Sequence, residues 1–82
     1  MNQEFYDFVS KTIGELTGNN VEIDPDKDLE SYEVNSLIFI RLIVAIEEKY
    51  DFEYGDTGYV YDKMNTLNSI YNVTKEYVAS LN

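Results

Sequence analysis

Apolar residues fall at Phe5, Phe8, Val9, Ile13 and Leu16, the three-and-four spacing that lines one face of an amphipathic helix, and Gly18, Asn19 and Asn20 supply a stop. A first helix is predicted over residues 3–17. Residues 21–34 show no sustained period. They hold the only proline, Pro25, carboxylates at Asp24, Asp26, Asp28 and Glu30, and isolated apolar residues at Val21, Ile23, Leu29 and Tyr32. This pattern reads as a long loop pinned by a few buried side chains, and such a loop in a small domain serves as a structural clamp or a functional surface. A second helix is predicted from Asn35 or Ser36, either of which can cap it, to about Tyr50. Phe39, Leu42, Ile43, Ile46 and Tyr50 make one complete inward stripe, while Leu37, Ile40 and Val44 form a second apolar line on another face. One core cannot easily bury both. An acidic connector over residues 51–56 follows, and a short helical turn over residues 57–63 is expected to insert Tyr59, Val60 or Tyr61. Asn65 or Thr66 then caps a last helix carrying Leu67, Ile70, Tyr71, Thr74, Tyr77, Val78 and Leu81 and ending near the C-terminus. The predicted fold is all-α: a small four-helix bundle of three main helices plus a short third helix, with a long loop between helices one and two, forming a single domain over residues 1–82.

Composition narrows what such a bundle does. Six Lys and Arg against 16 Asp and Glu give a net charge of −10, which repels phosphate backbones and anionic lipid, so nucleic acid and membrane surfaces are not expected partners and a basic protein surface is. The chain has no Cys and no His, hence no disulfide, no thiolate or imidazole metal ligand, no cysteine nucleophile and no histidine base. Most self-contained hydrolase chemistry is therefore excluded. The near-apolar stretch from Leu37 to Ile46 is broken by Arg41 and falls short of the roughly 18 residues a membrane span requires. The opening residues lack the basic start and apolar run of a secretory leader, so a cytoplasmic location is expected and the sequon Asn72-Val73-Thr74 is incidental.

Three constellations invite a chemical reading and do not sustain it. Asp24, Asp26 and Asp28 alternate as in a calcium loop, but Leu29 and Asn35 stand where that loop needs a Gly and a bidentate Glu, so no metal site is expected. The pair Glu47-Glu48 points in directions about 100° apart on a helix and has no nucleophile to serve, which makes it an exposed recognition face. Eight Tyr without interleaved Lys and Arg fill a core and do not stack bases. Ser36 differs from these. By itself a serine at a helix start is a cap, yet this one joins the acidic loop to the helix with surplus apolar surface, beside amides that welcome a phosphate ester. No base in the chain could activate it, so chemistry at Ser36 has to be done by another enzyme.

These residues resemble the acyl and peptidyl carrier proteins over essentially the whole chain. The stretch from Asp28 to Leu37, reading Asp-Leu-Glu-Ser-Tyr-Glu-Val-Asn-Ser-Leu, is similar to the family's segment around Asp-Ser-Leu. Ala45 to Glu53, reading Ala-Ile-Glu-Glu-Lys-Tyr-Asp-Phe-Glu, resembles the family's Ala-Leu-Glu-Glu-Glu-Phe-Asp-Ile-Glu, and Asn65-Thr66-Leu67 matches the capped start of its last helix. The resemblance implies that Ser36 receives 4′-phosphopantetheine from coenzyme A, that the thiol of this arm holds an acyl or aminoacyl group as a thioester, and that the protein is a carrier and no enzyme. It also implies the partners: a phosphopantetheinyl transferase, and acyl- or aminoacyl-loading and acyl-processing enzymes docking at Asn35, Leu37, Ile40, Arg41, Val44, Glu47 and Glu48. The surplus line of Leu37, Ile40 and Val44 is then a docking surface, the alternatives being packing against the short third segment or a homodimer contact.

Two residues depart from the family pattern. Asn35 replaces the Asp whose carboxylate helps some transferases hold magnesium, and Arg41 replaces a commonly acidic docking residue, so that a matched partner presents an acidic group opposite it. Helix two and the following Asp51-Phe52-Glu53-Tyr54 look more like stand-alone carriers of polyketide, nonribosomal peptide or related secondary-metabolite assembly than like the housekeeping protein. Fatty-acid and D-alanyl carriers, an unmodified acidic adaptor and a divalent-ion buffer are the competing readings.

Overall fold

A computed structural model describes residues 1–55 and 64–81 of the chain. Asn2 turns its side-chain oxygen onto the amide of Phe5 at 3.1 Å and so starts helix α1, Gln3–Thr17. The helix stops at Gly18, whose left-handed backbone (φ 77°) lets its amide donate to the Gly14 carbonyl at 2.9 Å. A Cβ at Gly14 would lie 2.7 Å from Asn20 Oδ1, so a side chain there requires the exposed Asn20 side chain to move. Helix α2, Ser36–Tyr50, is capped by Asn35 and not by Ser36: Asn35 Oδ1 accepts from the Ile38 amide at 2.9 Å. Its far end closes at Asp51, another left-handed residue, whose amide donates to the Glu47 carbonyl. Helix α3, Leu67–Thr74, is capped by Thr66, whose hydroxyl accepts from the Ser69 amide at 3.0 Å. Both α1 and α2 keep the boundaries their periodicity predicts.

Helix α1 packs against α2 and α3. Phe5, Val9 and Ile13 meet Phe39, Leu42, Ile43 and Ile46 in one core, closed by Met64, Leu67 and Ile70. Burying each such side chain stabilises the fold by roughly 1.5–3 kcal/mol. Tyr50 is half-buried, with the Phe5 and Phe8 rings at 6.0 and 6.4 Å. Among the described residues the protein is all-helical, with three α-helices, two 3-10 turns and no strand. The short third helix predicted around Tyr59, Val60 and Tyr61 lies outside the described residues.

The long first loop is a clamp. Ile23, Leu29 and Val34 are buried, a 3-10 turn runs over Leu29–Tyr32, and the Tyr6 hydroxyl donates to the Ile23 carbonyl at 2.5 Å. Val21, expected among the pinning residues, is exposed and pins nothing. The acidic side chains turn onto the backbone, Asp24 accepting from the Asp26 amide and Asp28 from the Glu30 amide, both at 2.9 Å. The loop is also stitched to the start of α3. The Leu29 amide donates to the Asn65 carbonyl and the Asn68 amide to the Pro25 carbonyl, both at 2.9 Å, and the Asn68 side chain donates to Asp26.

The last helix departs from its prediction. The periodic run to Leu81 breaks at Thr74, and a second 3-10 turn, Ala79–Leu81, ends the segment. Thr74 is fully buried; its hydroxyl donates to the Ile70 carbonyl at 2.6 Å and lies 2.5 Å from the Tyr54 hydroxyl. Because the one threonine proton goes to Ile70, the Tyr54 hydroxyl is the donor of that second bond. Past this point the chain tightens, with Tyr77 donating its amide to the Thr74 carbonyl at 2.9 Å. Tyr77 leaves the expected inward line, lies exposed against the Phe52 and Tyr54 rings at 5.6 and 5.7 Å, and donates its hydroxyl to the Tyr54 carbonyl.

Candidate functional site

Ser36 owes its position to the three residues before it. Glu33 adopts a left-handed backbone (φ 66°), its amide donating to the Glu30 carbonyl at 3.1 Å, and so ends the 3-10 turn. For a residue with a Cβ this conformation costs roughly 1–2 kcal/mol. The Asn19 side-chain amide holds the Glu33 carboxylate, and Val34, next in sequence, drops into the core. Asn35 is extended and caps the helix, which leaves Ser36 exposed as its first residue. A buried anchor two residues before and a capped turn after thus hold the serine at the surface.

Around Ser36 lies a shallow depression formed with Glu30, Glu33, Val34 and Asn35. The two carboxylates beside the serine escape a reading of the sequence, because Glu gives no signal that the chain turns left-handed at residue 33. A small cleft of about 190 Å³, floored by Leu29, Val34, Phe39 and Met64, shares Glu30 and Val34 with that depression.

Along α2 the remaining candidates divide. Leu37, Ile40 and Val44 are 60%, 52% and 45% exposed, and they form one stripe starting beside Ser36 and running roughly 10 Å along the helix. Arg41 and Glu48 are exposed. Glu47, expected on the same open face, is half-buried, and its carboxylate accepts from the Tyr54 amide at 2.9 Å. It ties the connector to the helix, so only part of its charge is offered to a partner. Among the described residues no group of three or more Asp and Glu is arranged to hold a metal ion. Nor is any described helix long and apolar enough to cross a membrane.

The ionisable groups that the fold perturbs lie away from Ser36. Burial pushes the Tyr54 hydroxyl well above the usual tyrosine range, with the charge of Glu47 adding to the effect and the neighbouring Tyr77 adding further. Burial, with Glu4 nearby, raises Tyr50 too.

A phosphodiester on Ser36 fits this setting. It would sit at the positive end of the α2 dipole, on an exposed residue with room for a long substituent, while Glu30 and Glu33 would turn it toward solvent.

The described residues form a small all-helical domain that presents an exposed serine at the head of its second helix. Residues 7–72, most of the chain, match the family described as the phosphopantetheine attachment site. The chain belongs to that family, the acyl and peptidyl carrier proteins, whose members bear covalently attached 4′-phosphopantetheine and are in general carriers, not catalysts. No curated protein and no solved structure gives a match.

Proposed function

We propose that Ser36 is the residue that receives 4′-phosphopantetheine, and that the protein carries an acyl or aminoacyl group on that arm in polyketide, nonribosomal peptide or related secondary-metabolite assembly. The single observation behind this reading is the exposed serine opening α2 within a chain of the carrier family. In the attachment step the Ser36 oxygen forms a bond to the phosphorus next to the pantetheine half of coenzyme A. The pyrophosphate bond breaks, the nucleotide half leaves, and the serine proton passes to a base of the transferase, since this chain has no His to take it. Once attached, the arm supplies a thiol for the thioester.

The protein's own residues then do three things. Asn35 and Val34 hold the arm's root at a fixed point on α2, so that the arm's reach is set by its own length. The stripe of Leu37, Ile40 and Val44 gives transferase and acyl-processing enzymes an apolar patch to cover transiently. Asn35, Arg41, Glu47 and Glu48 frame that patch with polar and charged groups suited to fast, weak, reversible docking. The cleft beside Ser36 is smaller than the roughly 300–1,000 Å³ of ordinary small-molecule pockets, which favours cargo that stays largely outside the bundle. A cytoplasmic location belongs to the same proposal.

The test is intact mass after incubation with coenzyme A, magnesium and a broad-specificity phosphopantetheinyl transferase, with Ser36→Ala alongside. One phosphopantetheine added to the parent and none to the variant supports the assignment. No addition with several transferases, on protein shown to be folded, overturns it in favour of an unmodified adaptor.

A further inference from the structure

Helices α1 and α2 border an open groove of about 690 Å³ that shares no lining residue with the 190 Å³ cleft. Its walls carry Lys11, Arg41 and Lys49, three of the six Lys and Arg in a chain of net charge −10. Phe8, Leu16 and Ala45 give it an apolar floor. Two acids, Glu15 and Glu48, line it too, so the groove is formally +1 while the rest of the chain is strongly negative. The helices run antiparallel here. Lys49, late in α2, lies 5.5 Å above the Phe8 ring and 3.8 Å from Glu4, both early in α1. The cations are therefore spread along the groove, with Arg41 and Lys49 roughly 12 Å apart on α2, more than two helical turns. The Lys49–Glu4 pair is exposed on both sides and weak enough to be exchanged for a partner's carboxylate.

We infer that this groove docks an acidic, amphipathic segment of a partner protein, one whose carboxylates are spaced over two helical turns beside an apolar face. Charge complementarity selects that occupant. A basic segment would be drawn to the acidic remainder of the chain, and a purely apolar one would desolvate Lys11, Arg41 and the Lys49–Glu4 pair. At about 0.15 M salt the Debye length is about 8 Å, so the remote carboxylates are screened from an acidic partner while the contacting cations are not. Arg41 also borders the Leu37 and Val44 stripe by helical spacing, so the two surfaces are continuous and a single partner can occupy both. The inference concerns the α1–α2 face and holds for protein with or without a modified Ser36.

The probe is a synthetic amphipathic helical peptide with Glu on one face and Leu on the other, titrated into unmodified protein at physiological salt and followed by amide NMR shifts. Expected are shifts clustered at Lys11, Arg41 and Lys49, loss of binding when the peptide's Glu are replaced by Gln, and about a tenfold or larger weakening in Lys11→Glu with Arg41→Glu. Both positions are exposed; should the double variant lose its helical circular dichroism, Arg41→Gln alone is used and a smaller weakening is expected. Absence of binding, shifts confined to the Leu37 stripe, or affinity indifferent to these changes overturns the inference. So does a dimer, seen by sedimentation, that Arg41→Glu dissolves, because it would assign the groove to a second copy of this chain. Because Ser36 is unmodified throughout, failure here leaves the mass experiment untouched, and the reverse.

Discussion

Helix α2 carries two apolar lines of similar composition with opposite fates. Phe39, Leu42, Ile43 and Ile46 are buried against α1 and the start of α3, whereas Leu37, Ile40 and Val44, on the same helix, stand in solvent. Residue chemistry does not separate them, since both lines contain Leu and Ile. The difference teaches that the helix spends its hydrophobicity twice, once on the fold and once on a surface that lowers its free energy only when something covers it.

Breaking the inward line should have the largest effect. Leu42→Ala, at a position with no exposure, is expected to cost about 2–5 kcal/mol in denaturant unfolding. A cost under 1 kcal/mol would mean that the two lines are not distinct in the way described. Next comes the buried Tyr54–Thr74 contact that ends α3. Because the folded-state pKa of Tyr54 is raised, its contribution to stability is complete below the unfolded value near 10 and is lost as pH rises through the folded value. The parent should lose up to about 1.4 kcal/mol per pH unit to this one group above pH ~10, and Tyr54→Phe should flatten the alkaline limb of the unfolding profile. An unchanged limb would remove Tyr54 from that account.

At the junction between fold and surface, Asn35→Ala removes the α2 cap and should cost about 1 kcal/mol, while Asn35→Asp keeps a capping oxygen and should leave stability nearly unchanged. The same Asp variant is expected to raise the rate of modification, as its second carboxylate oxygen is a better magnesium ligand; equal rates across transferases would sink that idea. The smallest stability effect belongs to the outer line. Ile40→Ser and Val44→Ala should shift unfolding by no more than about 0.5 kcal/mol and yet slow arm attachment or acyl loading. A large stability loss in either would show that the stripe is covered within the protein itself.

Legibility followed the range of the interactions. The boundaries of α1 and α2, the residues of the inward stripe and the exposed surplus line were all readable, because each depends on residues three to seven positions apart. The position of Ser36 at the head of α2 was readable for the same reason. Less legible was the end of α3. Its helical period continues to Leu81, but the chain turns at Thr74 to meet Tyr54, 20 residues earlier, and to lay Tyr77 on Phe52 and Tyr54. Glu47 looked like surface charge until Tyr54 supplied an amide for it.

By itself the sequence determined an all-helical domain with an exposed serine between a clamped loop and a capped helix, since hydrophobic spacing and capping act within a few residues and are written in their order. Only the tertiary structure decided that Asn35 is the cap, that Glu33 takes a left-handed turn, and that Lys11, Arg41 and Lys49 gather along one groove of an acidic protein. Those outcomes depend on which faces α1 and α2 turn toward each other, and that is settled by burying the core.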